Sequence, residues 1–248
     1  MRFLSVFSTT VLLTLTASAS FAADPAPTWH GNIALNFAQI NTAANTRNLT
    51  LFGAAKRETK NATTTLDQTY VNARQKPSGS GAIFTTTDDS WIANGNHSFK
   101  TGQRTNGFVN ARLQTDKIQK LNLRSILGAG LGVMVRKTGV MSFKTSLGVA
   151  AIREDFKGQS VSNKFSGQFG YNYTRKLREG TNFTNDFTIY PNLSKTSDNY
   201  YVAQFSLDQA LSGNFFANIR YITDRTSVPA AGTPKTTSRL IFGLGTKF

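Results

Sequence analysis

The stretch Arg239-Leu240-Ile241-Phe242-Gly243-Leu244-Gly245-Thr246-Lys247-Phe248 ends the chain, and its period of two decides how the rest is read. In an extended strand, residues two apart share a face. Leu240, Phe242, Leu244 and Phe248 therefore make an apolar side, and Arg239, Gly243, Gly245 and Lys247 an opposite, polar one. An edge strand of a soluble sheet is one environment for such a segment. A strand of a transmembrane barrel suits it better, because lipid takes the apolar face and the lumen the other, and a terminal aromatic then needs no further cover.

The opposite end of the chain agrees. Met1-Arg2 is a short positive region, Phe3 to Leu15 an apolar one broken only by Ser and Thr, and Ser20-Phe21-Ala22 a small-x-small cleavage site. Cleavage after Ala22 divides the chain into a secretory signal peptide, 1–22, and one mature domain, 23–248. An uncleaved anchor is the weaker alternative, since the apolar run falls short of the ~20 residues that span a bilayer as a helix. An exported chain without a later apolar helix is expected in the periplasm, the outer membrane or the medium.

Composition narrows the choice. Hydrophobic residues make up 39% and charged residues only 17%, fewer charges than usually coat a soluble globule. Gly, Asn, Thr and Ser fill the difference, which suits strands with one apolar face and one polar, mostly uncharged face. There is no Cys, so disulfides and thiolate metal sites are excluded. The net charge is +15, or +14 once Arg2 is removed. These cations are scattered singly along the chain, which argues against a nucleic-acid interface. The expected counter-charges are lipopolysaccharide and phospholipid headgroups.

Alternation predicts about twelve strands: 29–40, 47–58, 64–73, 88–99, 106–115, 121–136, 140–156, 161–175, 183–190, 200–211, 215–224 and 237–248. Ile33, Leu35 and Phe37 oppose Asn32 and Asn36 in the first. The third and fourth alternate weakly, and their facing is open. Val109, Ala111 and Leu113 oppose Asn110, Arg112 and Gln114 in the fifth. Leu121, Leu123, Leu127 and Leu131 oppose Asn122, Arg124, Gly128 and Gly130 in the sixth. Phe52 is the exception, falling on the polar side of its strand. Links after even strands are short and those after odd strands generally longer, which predicts both termini on the periplasmic side of an antiparallel transmembrane β-barrel. Trp29, Tyr171, Tyr173, Tyr190, Tyr200, Tyr201 and Tyr221 are expected in aromatic girdles at the strand ends.

Three stretches together resemble the family of salt-induced outer membrane proteins, a domain family of unknown function. They are Trp29-His30-Gly31 with Ile33-Ala34-Leu35; Phe108, Asp116-Lys117, Leu121-Asn122-Leu123-Arg124 and Gly128-Ala129-Gly130-Leu131-Gly132; and Pro229 to Thr233 followed by Gly243-Leu244-Gly245-Thr246-Lys247-Phe248. Thr42 to Thr46 and Thr236-Thr237 depart from the family's Ser-Gly-Asn and final-loop Asp. The resemblance implies an outer-membrane barrel in a Gram-negative envelope and carries no catalytic residue. The last strand also resembles the closing strand of bacterial outer-membrane barrels, which implies that Leu240, Phe242, Leu244 and Phe248 form the signal for the barrel-insertion machinery.

Little in the chain suggests chemistry. Gly128-x-Gly130-x-Gly132 lacks the following helix and acidic residue of a nucleotide fingerprint, so the glycines are read as leaving room in the lumen or letting the sheet bend. His30 and His97 have no ligand-type neighbours, and no metal or other cofactor is expected. A lipid hydrolase of the lipase or lipid A deacylase type is the enzyme alternative, but His97-Ser98 are adjacent and face opposite ways, so they form no local dyad. What remains is a set of inward cations: Lys56, Arg112, Arg124, Arg136, Lys144, Lys164, Arg220, Arg239 and Lys247, set against Glu58, Glu154, Asp186, Asp208 and Asp224. Either they line a narrow anion-leaning channel, or they pair across strands and fill a closed barrel that serves the envelope or binds lipopolysaccharide.

Overall fold

Residues 28–41, 44–77 and 81–248 are described by the computed structural model. The expected leader, 1–22, lies outside the described residues. Twelve strands follow in order: β1 (Trp29–Asn41), β2 (Ala44–Glu58), β3 (Ala62–Pro77), β4 (Thr85–Lys100), β5 (Thr105–Asp116), β6 (Leu121–Lys137), β7 (Met141–Phe156), β8 (Ser162–Arg178), β9 (Thr181–Pro191), β10 (Asn199–Ala210), β11 (Phe215–Thr226) and β12 (Thr236–Lys247). Each pairs antiparallel with its neighbours in sequence, and β12 returns to β1, so the sheet is a closed all-β barrel. Closure leaves no free sheet edge except where a seam is incomplete.

The alternation explains the wall. Leu35, Phe37, Leu127, Leu131, Leu147 and Leu244 point outward and are more than half exposed, an apolar surface that a soluble sheet would bury. Residues of the opposite parity point inward, among them Thr50, Gln114, Arg124, Glu154, Ser166 and Asp224, all nearly inaccessible. Polar groups inside and apolar groups outside is the reverse of a water-soluble globule.

The links sort by length as alternation predicts. Short turns join β2 to β3, β4 to β5, β6 to β7, β8 to β9 and β10 to β11 at one rim, and the longer links after β3, β9 and β11 belong to the other. Both the start of β1 and the end of β12 lie at the short-turn rim, because Asn32 registers with Lys247. There Phe248 exchanges two backbone hydrogen bonds with Gly31, each 3.0 Å. Its ring occupies the space a Cβ on Gly31 would need, so Gly31 is required for that lid.

Four side chains stand out against simple parity. Phe52 does face the lumen, where the Arg220 guanidinium sits 3.5 Å from its ring centre, and this cation–π contact accounts for an aromatic on the polar face. Leu121 turns inward, packing with Phe156 and Ala230, because a bulge between Leu121 and Leu123 shifts the register. Tyr190 and Tyr200 are not girdle residues: both are buried in the lumen and stacked, with ring centres 5.8 Å apart. Tyr171 and Tyr201 instead join Phe143 and Phe187 in an aromatic band across the outer wall of β7 to β10.

Candidate functional site: the lumen

Inward parity brings charged side chains of β4 to β8, β11 and β12, with Asp198 of the loop before β10, into the half of the lumen nearest the long loops. There they meet across the barrel. Arg112 of β5 donates from Nη2 to Asp224 Oδ1 of β11 at 2.9 Å. These strands lie six apart in a ring of twelve, so the bond spans the diameter. Arg239 of β12 donates from Nε to Asp88 Oδ2 (2.9 Å) and Ser90 Oγ (3.0 Å), from Nη1 to Asp224 Oδ2 (2.9 Å), and from Nη2 to Asp116 Oδ2 (2.6 Å). Arg124 donates from Nε to Glu154 Oε1 at 2.6 Å and from Nη2 to Thr226 Oγ1 at 2.8 Å. Lys164 bridges Glu154 (2.6 Å) and Asp198 (2.8 Å).

Neutral groups complete this layer. The Tyr200 hydroxyl lies 2.9 Å from Gln114 Oε1 and 2.8 Å from Asp224 Oδ1, while its ring receives the Arg124 guanidinium at 4.1 Å. Two apolar clusters flank the charges: Val71 with Ile222 and Ile241, and Ile126, Ala150 and Ile152 with Tyr190 and Tyr200. Arg124, Gln114 and Asp116 are 0% exposed. Water reaches none of these three side chains, which form the centre of a charged layer across the lumen. A buried charge is tolerable only when paired and hydrogen-bonded, and Arg112, Arg124 and Arg239 each have at least one carboxylate oxygen at 2.9 Å or less.

The half nearest the short turns is different. It holds a cup of about 570 Å³, lined by amides and hydroxyls such as Asn96, Ser98, Ser146, Asn172, Thr188 and Gln204. Two of its acidic residues are hydrogen-bonded to amides: Asn94 Nδ2 donates to Asp67 at 2.7 Å and Asn172 Nδ2 to Asp186 at 2.5 Å. Lys56 pairs with Glu58 at the mouth with both side chains exposed. Along one wall, Gly128, Gly130 and Gly132 make a strip without side chains. Asn110 and Gln168 lean over the first, the Phe108 ring over the second, and Asn106 and Lys144 over the third. Gly128 and Gly132 leave room for neighbouring side chains, and Gly130 lets the backbone of Leu147 and Gly148 approach closely.

The nine cations singled out from the sequence thus divide. Arg112, Arg124, Lys164 and Arg239 belong to the charged layer. Lys56 and Lys144 line the cup, Arg220 lies on Phe52, and Lys247 points toward the Phe216 ring at 5.8 Å. Arg136 is not in the lumen: a bulge between Met134 and Arg136 sets it opposite the outward Phe143, and Lys137 takes the inward place opposite Ser142. Sequence parity missed four inward carboxylates, Asp67, Asp88, Asp116 and Asp198. With these, the carboxylates facing the lumen largely balance its cations, and the net positive charge sits on rims and turns. Leu240, Phe242 and Leu244 lie exposed on the outer wall, and Phe248 caps Gly31.

The histidines do not meet. His30 lies 3.1 Å from Thr28 Oγ1 at the rim, and His97 Nδ1 lies 2.9 Å from Thr64 Oγ1 on the outer face. Among the described residues, the hydrogen-bond partners of both are threonines.

No curated protein sequence matches this chain. Among solved structures it is similar to the NanC porin (11% identity, 88% of this chain and 98% of that one, TM-score 0.47). It is also similar to an outer-membrane channel of Pseudomonas putida F1 (12%, 94% and 100%, TM-score 0.45). A third is the translocator domain of the autotransporter NalP from Neisseria meningitidis (14%, 91% and 90%, TM-score 0.44). A family profile matches residues 33–248, nearly the whole barrel, and the chain accordingly belongs to the family described as protein of unknown function DUF481.

Proposed function

We propose that this protein is an integral barrel of a Gram-negative outer membrane that is closed across its middle and does not conduct ions at rest. The exposed apolar wall supports the membrane placement, since only a closed barrel satisfies every strand's backbone inside lipid. The observation that carries the closure is the Arg112 to Asp224 bond across the barrel diameter, with Arg239 tying Asp88, Asp116 and Asp224 beside it. The near balance of charge in the lumen removes the basis for an anion bias, so the closed-barrel reading is favoured over the narrow channel. On this reading the long-loop rim faces outward and the cup opens to the periplasm.

Planar-bilayer recording of the purified mature chain tests the closure. Silence is expected; steady ohmic conductance from the wild-type protein would overturn it. Membrane fractionation separately tests the location, which requires the protein to pellet with the outer membrane. The resemblance to salt-induced proteins adds a further expectation, that expression rises with external salt, and a reporter fusion reads it directly.

A further inference from the structure

The cup holds three charged side chains that the barrel leaves without an opposite charge. Lys144 of β7 lines it, half-buried, and has no hydrogen-bond or ion-pair partner among the described residues. Asp67 of β3 and Asp186 of β9 line it too, each held by one asparagine amide and by no cation. The other cations of the lining are committed, Lys56 to Glu58 and Arg112 to Asp224 and Asn94.

The placement of these three groups gives the cup a ligand chemistry. β3 and β9 lie six apart in the ring of twelve, so Asp67 and Asp186 approach from opposite walls. Asp67 Oδ1 and Asp186 Oδ2 accept no hydrogen bond among the described residues, because the asparagines take the other oxygen of each. Two amide oxygens of the lining, Asn110 Oδ1 and Gln168 Oε1, also lack a donor, and both lean over the bare Gly128. Gln168 is 5% exposed, and an orphaned acceptor buried so far calls for an explanation. All four are acceptors in want of donors, and a primary ammonium brings three.

Lys144 is the opposite case. It and Asp186 are both register partners of Asn172, one on each side of β8, which sets their backbones roughly 10 Å apart. A lone cation in the cup would satisfy the carboxylates and repel Lys144, and a lone anion would do the reverse. A molecule that carries both signs a few atoms apart pairs with both, and pairing is what makes a half-buried charge tolerable.

We propose that the cup is a binding site for a small zwitterion with a primary ammonium and a carboxylate, the chemistry of a free amino acid. The ammonium donates to Asp186 Oδ2 and the acceptors around it, and the carboxylate accepts from Lys144 Nζ. Entry is from the short-turn rim. The proposal rests on the closure argued above, which makes the cup blind. Steady conductance would overturn that closure, whereas a heat of binding reads the site itself.

Isothermal titration of the full mature chain in mild detergent tests it, with alanine as the probe. Saturable binding at one site is expected. Alaninamide, which lacks the carboxylate, and N-acetylalanine, which lacks the ammonium, should each bind about tenfold more weakly or worse, as the loss of a hydrogen bond between charged groups requires. Lys144→Met should lower the affinity for alanine to that for alaninamide, and Asp186→Asn to that for N-acetylalanine, with barrel folding of both variants checked by heat-modifiable migration. No saturable binding, equal affinity for alanine and either blocked form, or folded variants that bind alanine as the wild type does would overturn the site. Tighter binding of glucose than of alanine would overturn the choice of ligand.

Discussion

The two halves of the lumen are made from the same strands and differ in what their inward residues do with charge. Toward the long loops, arginines and carboxylates from strands on opposite sides of the barrel meet directly, in the layer proposed to close the cross-section. Toward the short turns, the same strands carry amides, hydroxyls and bare glycines; Asp67 and Asp186 are hydrogen-bonded to amides, Arg220 lies on the Phe52 ring, and Lys56 and Glu58 are exposed at the mouth. Net lumen charge therefore says little about permeation.

Changes that disrupt the seal should be the most costly. Arg239→Ala leaves Asp88, Asp116 and Asp224 without their shared cation, and removing one partner of a buried pair costs about 3–5 kcal/mol. Denaturant unfolding of the bilayer-folded protein should show this loss, and channel events should appear in planar bilayers. Asp224→Asn weakens bonds to both Arg112 and Arg239 and should cost about 1.5–3 kcal/mol. Combined with Arg239→Ala it should cost less than the sum, because the two residues share one network. Full additivity in that cycle would contradict a single, connected seal.

The glycine strip probes the open half. A Cβ at Gly130 would sit 2.3 Å from the backbone oxygen of Leu147, while at Gly128 it meets only the movable amide ends of Gln168 and Asn110. Gly130→Ala should therefore destabilise by about 1–3 kcal/mol, and Gly128→Ala by clearly less in the same unfolding experiment. Phe52→Leu removes the ring beneath Arg220 and should cost about 0.5–2 kcal/mol. Lys56→Gln, at the exposed mouth, should change stability by less than about 1 kcal/mol. A larger effect there than at Arg239 would invert the proposed division of the lumen.

Much of this architecture is legible in the amino-acid sequence. All twelve strands, their order and most facings follow from alternation, because in a barrel wall each strand meets two unlike media along its whole length. What alternation misses has specific causes. The bulges near Leu121 and Met134 insert one residue each and flip the parity beyond them, which moves Leu121 inward and Arg136 outward. Asp67 and Asp88 lie in the two strands whose alternation is weakest, and Asp116 and Asp198 lie where strands meet loops. Tyr190 and Tyr200 have the strand-end position of girdle aromatics; packing against Ile126 and Ile152 puts them inside.

The wall is a property of the sequence: an antiparallel barrel, apolar outside and polar within, with unequal links at its two rims. Single strands and their turns carry that information in neighbouring residues. The charged layer across the lumen is a property of the tertiary fold. Arg112 and Asp224 are 112 residues apart, and nothing local marks them as partners. Their bond exists because closing twelve strands brings β5 and β11 face to face, at a distance that an arginine and an aspartate can cross together.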